Sequence, residues 1–166
     1  MPERERVYLS LGSNIDPEMH LAGAIAALRH RFGELQQSPV YRNPAVGYAG
    51  ADFLNLAVAI DCELSPDALA AWLHALESAH GRRRDLPRFS DRPLDIDIVL
   101  FGNRQFRGPG NLQVPRPELG QAFVLKPLAD LAPDLTPVGS TVTLAALWAR
   151  HPESGMACWR QGHALA

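Results

Sequence analysis

In DRPLDIDIVLFG (residues 91–102), Asp95 and Asp97 interrupt an apolar run of Leu94, Ile96, Ile98, Val99, Leu100 and Phe101. The run has the composition of a buried β-strand. Successive side chains of a strand leave on opposite faces. Asp95 and Asp97 therefore share one face, and Leu94, Ile96 and Ile98 take the other. Two carboxylates so placed repel, at severe cost on a dry surface. A divalent cation removes the repulsion, and Mg²⁺ is commonly held by one or two carboxylates together with substrate phosphates. Taken alone, the pair reads more simply as a solvated strand face.

The pair does not stand alone. GRRRDLPRFSDR (81–92) places Arg82, Arg83, Arg84, Arg88 and Arg92 just before it. In isolation this is a solvated basic loop. Beside a metal-binding strand, its guanidinium groups become donors for phosphate oxygens. Phosphoryl transfer needs positioning and charge neutralisation more than covalent chemistry from the protein. A loop of arginines closing over a triphosphate would supply both and exclude water. The chain has no Walker A sequence, no G-x-G-x-x-G and no kinase H-R-D set, so a nucleotide site here is of another type. His74 and His80 flank Glu77 at three-residue spacing, which reads as a polar helix face.

Composition sets the frame. The 166 residues, 46% apolar and 20% charged with net charge −2, fit one globular domain with a real core. That balance gives no bulk attraction to nucleic acid or an anionic membrane. Of 16 basic residues, Lys126 alone is lysine. Cys62 and Cys158 lack metal-ligand spacing and read as free structural thiols. MPERERVYLS lacks a signal-peptide core, and no apolar run is long enough to span a bilayer. A cytoplasmic protein is expected.

Working outward, RVYLSLG (6–12) reads as a strand. DPEMHLAGAIAALRHRFG (16–33) reads as a helix capped by Asp16, with Pro17 at its first position and Gly33 at its end. ELQQSPVYR (34–42) is a strand made irregular by Pro39, and FLNLAVAIDCEL (53–64) is a strong strand. A helix over 65–82 has Ser65 as cap and Gly81 as stop. After the strand 94–101 come a loop over 102–121, a short helix around Lys126–Leu131 and a last helix within 141–151 capped by Thr141 or Thr143. The tail beyond is uninformative. This βαββαβ order predicts an α+β, ferredoxin-like sandwich. Its sheet is mainly antiparallel, with helices on one face. The other face is open for a ligand or the C-terminal segment.

Four segments, YLSLGSNI (8–15), SPVYRNPAVG with DFLNLAVAI (38–60), LESAHGRRR (76–84) and RPLDIDIVLFGN (92–103), carry a resemblance. VPRPELGQAFVLKPLADLAPDL (114–135) continues it. In their order and spacing the chain resembles the 6-hydroxymethyl-7,8-dihydropterin pyrophosphokinases of folate biosynthesis over roughly residues 6–148. The resemblance implies transfer of the β,γ-pyrophosphoryl group of ATP to the pterin hydroxymethyl group, giving AMP. It implies two Mg²⁺ ions on Asp95 and Asp97. It also implies a pterin pocket from Asn43, Pro44, Val46, Phe53, Asn55 and Phe123, and a nucleotide side from Glu77, Arg82, Arg84, Arg88, Arg92, Ile98 and Arg116. Arg82 and Arg92 would stabilise charge on the transferred group. Asp97 or a metal-bound water would take the proton, and no dedicated general base is assigned. ATP and the reduced pterin are the expected partners of a monomer.

Some positions depart from the family pattern. Phe89, Ser90 and Asp91 replace a Trp-Gly-Pro-like triplet, and Asp91 would bring negative charge near the phosphates. Arg116 stands where a histidine contacts the nucleotide, Gln121 replaces a basic residue, and Asn43 stands where threonine is common. These departures motivate an alternative, a divergent paralogue with another substrate or weak activity. A non-enzymatic RNA-binding module is a further alternative. The acids on the sheet face, where aromatic side chains would be needed, and the net charge argue against it.

Overall fold

The computed structural model describes residues 3–45, 47–82 and 90–155. Strand β1 (Glu5–Ser13) runs antiparallel to both β4 (Phe53–Cys62) and β5 (Asp95–Phe101). The sheet order is β2–β4–β1–β5, where β2 is Gln36–Gln37, and β3 (Tyr41–Asn43) pairs with the start of β4. One face carries α1 (Pro17–Phe32) and α2 (Pro66–Ala79). Val7, Leu9 and Leu11 of β1 pack there with Leu54, Leu56, Val58 and Ile60 of β4. Leu21, Ile25 and Leu28 of α1 and Leu69 and Leu73 of α2 close the cluster. Truncating a fully buried Leu of this kind to Ala costs about 2–5 kcal/mol.

The opposite face is divided. Helices α3 (Ala122–Leu131) and α4 (Leu144–Ala149) cover one end of it, burying Ala57, Val99 and Leu100 against Val124, Leu125, Leu128 and Leu144. The other end carries polar side chains from four neighbouring strands. Across the ladders Tyr41 faces Asn55, Asn55 faces Gly12, and Gly12 faces Asp95. The C-terminal segment therefore takes half the face that the sequence left open.

Several element boundaries differ from the sequence expectation. The strand expected over 34–42 is split into β2 and β3 around Pro39, which has no N–H for the ladder. Ser38 bridges the gap: its N–H donates to Ala57 O at 2.9 Å and its hydroxyl accepts from Ala57 N–H at 2.9 Å. Asp16 adopts a left-handed conformation (φ 43°) and makes no side-chain cap bond, so α1 starts without the expected cap. Ser65 does cap α2, accepting from Ala68 N–H at 3.2 Å. The loop over 102–121 contains a small hairpin, β6 (Phe106–Arg107) with β7 (Gln113–Val114), and a 3₁₀ turn over Pro117–Gly120. Helix α3 begins at Ala122, a turn before the expected start, and runs through Pro127. Helix α4 is shorter than 141–151 and is capped by Thr143, which accepts from Ala146 N–H at 3.2 Å. No helix among the described residues is long and apolar enough to cross a membrane.

Candidate active site

The sheet places the two acids as their spacing requires. Asp97 faces Ser10 and Asp95 faces Gly12 across the β1–β5 ladder, on the face away from α1 and α2. Ile96 and Ile98 point into the core beneath the helices. Ile98 is 4% exposed, with its side chain in the core.

The end of α2 delivers the first arginine. Gly81 sits at φ 87°, a conformation a side chain disfavours, and turns the chain so that Arg82 N–H reaches Glu77 O at 3.0 Å. The Arg82 guanidinium then lies 2.8 Å from Asp95 Oδ1 and 3.4 Å from Glu77 Oε2. Arg92 Nη1 reaches Asp95 Oδ2 at 3.2 Å. Glu77 is 2% exposed, and its Oε2 accepts from Ile96 N–H at 2.7 Å on the side of β5 away from β1. It supports Arg82 and β5 from beneath.

A β-bulge delivers the third arginine. Leu9 faces Ile98 and Tyr8 faces Leu100, which leaves Val99 as an extra residue. The Val99 carbonyl accepts from Arg116 N–H at 3.0 Å. Arg116 Nη2 then lies 3.4 Å from Asp97 Oδ1 and Nε 3.1 Å from Glu118 Oε2. Burial raises the Asp95 carboxyl, but Arg92, Arg82 and Arg116 outweigh it and hold the group below its ordinary value. Burial and the Asp95 charge push Asp97 up to about 8, with Arg116 opposing them and Glu77 and Glu118 adding to them. Among the described residues no cluster of three or more His, Cys, Asp or Glu is arranged as a metal site. A same-face carboxylate pair, one member of which has less positive charge around it among the described residues, fits a hard cation that takes its other oxygens from phosphate and water.

Beside the acids lies a wall of amides and aromatics. The Asn55 Nδ2 donates to Asn43 Oδ1, and Asn43 Nδ2 donates to Pro44 O at 3.1 Å. A Cβ at Gly12 would lie 2.6 Å from Asn55 Oδ1 and 3.7 Å from Phe53, so the glycine gives the amide its room. Phe123 packs from α3 beside Tyr41. Sequence reasoning missed the tie that holds it there. The Tyr41 hydroxyl donates to Asp130 Oδ2, and Lys126 Nζ lies 2.8 Å from Asp130 Oδ1. Burial and the Asp130 carboxylate raise the Tyr41 hydroxyl above its ordinary value, keeping it a donor. Sequence reasoning also missed Asn14 and Tyr48. Their hydrogen bonds claim Asp91 Oδ1 at 2.8 and 2.9 Å, so the Asp91 charge is engaged away from the arginines on Asp95. Val46, Arg84, Arg88 and Phe89 lie outside the described residues.

Carboxylates bracketed by guanidinium groups, next to an amide-and-aromatic wall, form an arrangement suited to phosphate on one side and a flat polar ring on the other. The comparisons agree. The family model for 7,8-dihydro-6-hydroxymethylpterin-pyrophosphokinase (HPPK) matches residues 8–133, and the chain belongs to that family. A 2-amino-4-hydroxy-6-hydroxymethyldihydropteridine pyrophosphokinase of Methylorubrum extorquens is 42% identical over 141 residues, covering 82% of this chain and 89% of its own. One of the same name from Pseudomonas aeruginosa is 42% identical over 137 residues, covering 79% and 83%. Among solved structures, wild-type Plasmodium falciparum HPPK-DHPS matches with a TM-score of 0.69 at 11% identity. The match covers 89% of this chain but only 45% of that one, and it speaks for the fold alone.

Proposed function

We propose that this chain transfers the pyrophosphoryl group of ATP to the hydroxymethyl group of 6-hydroxymethyl-7,8-dihydropterin. The products are the pterin diphosphate and AMP, in folate biosynthesis. The observation that carries the reading is the Asp95–Asp97 pair bracketed by Arg82, Arg92 and Arg116, on the same sheet face as Asn43, Phe53 and Asn55.

In this reading the substrate hydroxyl attacks the β-phosphorus, the bond from that phosphorus to the α-phosphate oxygen breaks, and AMP leaves. Asn43 and Asn55 orient the pterin by its donor and acceptor edge, and Phe53 and Phe123 cover its faces. Arg82 and Arg92 draw the transferred group toward the hydroxyl and offset the charge that develops on it. Arg116 reaches the nucleotide from the opposite side of Asp97. Asp95 and Asp97 would hold Mg²⁺, which when bound would supply charge neutralisation for the phosphates. The hydroxyl proton passes to Asp97 or to water. The reading extends to a monomer of one domain acting in the cytoplasm, where buried Cys62 stays reduced.

The test is AMP release from ATP and Mg²⁺ with and without the pterin, for wild type and for Asp95→Ala and Asp97→Ala. Pterin-dependent AMP that both variants lose supports the reading. A folded wild type that binds the pterin but releases no AMP would sink it and favour an altered substrate.

A further inference from the structure

Asn14, 7% exposed at the end of β1, has its polar atoms engaged in joining two loops. Its backbone N–H donates to Arg92 O at 3.0 Å and its Oδ1 accepts from Arg92 N–H at 2.7 Å. Its Nδ2 faces three acceptors: Asp91 Oδ1 at 2.8 Å, the Tyr48 hydroxyl at 3.1 Å and Ala51 O at 3.1 Å. The Tyr48 hydroxyl in turn donates to Asp91 Oδ1 at 2.9 Å. A Cβ at Gly50 would meet the Tyr48 ring at 2.4 Å and Asp91 Oδ1 at 2.7 Å, so the bare glycine lets ring and carboxylate close together.

These contacts link the two halves of the site. Tyr48 and Ala51 belong to the connection between Asn43 and Phe53, which line the pterin side. Asp91 directly precedes Arg92, whose guanidinium sits on Asp95. We propose that Tyr48 and Asp91, joined through Asn14, form a latch that couples pterin binding to the placement of Arg92 at the pyrophosphoryl group. The idea rests on the pyrophosphokinase reading above. All three are positioning residues: the pterin steadies the Tyr48 loop, and the latch carries that order to Arg92. Occupying one subsite then favours the other, because the shared ordering is met once.

The experiment titrates the reduced pterin by fluorescence, with and without a non-hydrolysable ATP analogue and Mg²⁺. Wild type, Tyr48→Phe, Asp91→Ala and the double variant are compared. In the wild type the analogue tightens pterin binding about 10-fold or more, within the usual range of coupling between sites. In each single variant the ratio falls to about 2 or less, and the double variant matches the singles, as residues acting as one unit do. Tyr48→Phe keeps the ring, so it serves as the conservative variant. A role in folding alone would weaken both affinities and lower Tm with the ratio intact, and that result overturns the latch. Losses that add in the double variant, or a wild-type ratio of one with both ligands bound, overturn it as well. A wild type that binds neither ligand overturns the pyrophosphokinase reading and the coupling with it.

Discussion

Asp95 and Asp97 lie two residues apart on one strand face, yet their surroundings differ. Asp95 lies at the end of α2 and receives Arg82 on one oxygen and Arg92 on the other. Asp97 lies beside the turn after β7 and, among the described residues, receives one guanidinium, Arg116, which also lies against Glu118. Their side chains are similarly exposed, 25% and 29%, so the difference comes from the distribution of charge more than from access to water. One acid is held ionised by its own protein. The other is left with its carboxyl raised, and the Mg²⁺ of the proposed reaction would supply the positive charge it lacks.

The harshest way to break this contrast is to remove each acid. Asp95→Ala and Asp97→Ala should each lower the rate of pterin-dependent AMP release by about 10³-fold or more, since each removes several kcal/mol of charge stabilisation. Asp95→Ala should also lower Tm, because Arg82 and Arg92 each lose a charged acceptor, whereas Asp97→Ala should not. Next in size is Arg82→Ala, with an expected loss of about 10²–10³-fold in kcat. Glu77→Gln keeps an acceptor for Ile96 N–H but loses the charge beneath Arg82. It should cost about 1–3 kcal/mol in chemical denaturation.

Titration sharpens the contrast. Asp97 keeps its proton up to about pH 8, so a cation must displace it below that pH. Mg²⁺ affinity, read by calorimetry, should rise about tenfold per pH unit toward pH 8 and level off above it, with about one proton released per binding event at pH 6–7. Stability carries the same sign. Between the unfolded value of about 3.9 and about 8, the native state holds a proton that the unfolded state has released. The contribution of Asp97 is therefore complete below the unfolded value and is lost as pH rises through the native one. Asp97→Asn should stabilise the metal-free protein by about 1–2 kcal/mol at pH 9 and change little at pH 4, as thermal unfolding at the two pH values would reveal. The smallest effect belongs to Arg116→Ala. Removing the positive charge that opposes the rise at Asp97 should move the Mg²⁺ pH midpoint upward by about half a unit to one unit.

Local pattern made much of this molecule legible before any coordinates. Alternation in 94–101 put both acids on one face, and Ser65 and Gly81 bounded α2 because caps and stops act within a turn of themselves. What stayed hidden depends on partners far along the chain. The irregularity at Pro39 was visible, but its repair by Ser38 and Ala57 was not. Arg116 reaches Asp97 because Val99 bulges from β5, and no periodicity in 94–101 marks which residue will be the extra one. Asn14 was within a segment resembling the family, yet its bonds to residues 34 to 78 positions away have no spacing signature. Burial was legible at Ile98, whose side chain strand alternation gives to the core, but not the tie from Glu77 to the Ile96 N–H, which joins a helix to a strand 19 residues on.

The position of β5 at the rim of the sheet has a further consequence. A strand bearing Ile96, Ile98, Val99, Leu100 and Phe101, with no strand paired to one side among the described residues, is a template for another molecule's strand, the usual starting point of aggregation. Here Glu77 occupies the Ile96 N–H, Arg116 occupies the Val99 carbonyl, and the bulge breaks the regular spacing between them. The groups that surround the candidate chemistry thus also guard the edge of β5: a variant that takes the carboxylate from Glu77 frees the Ile96 N–H and risks self-association as well as lost turnover, whereas a side-chain change at Arg116 keeps the backbone N–H that covers the Val99 carbonyl.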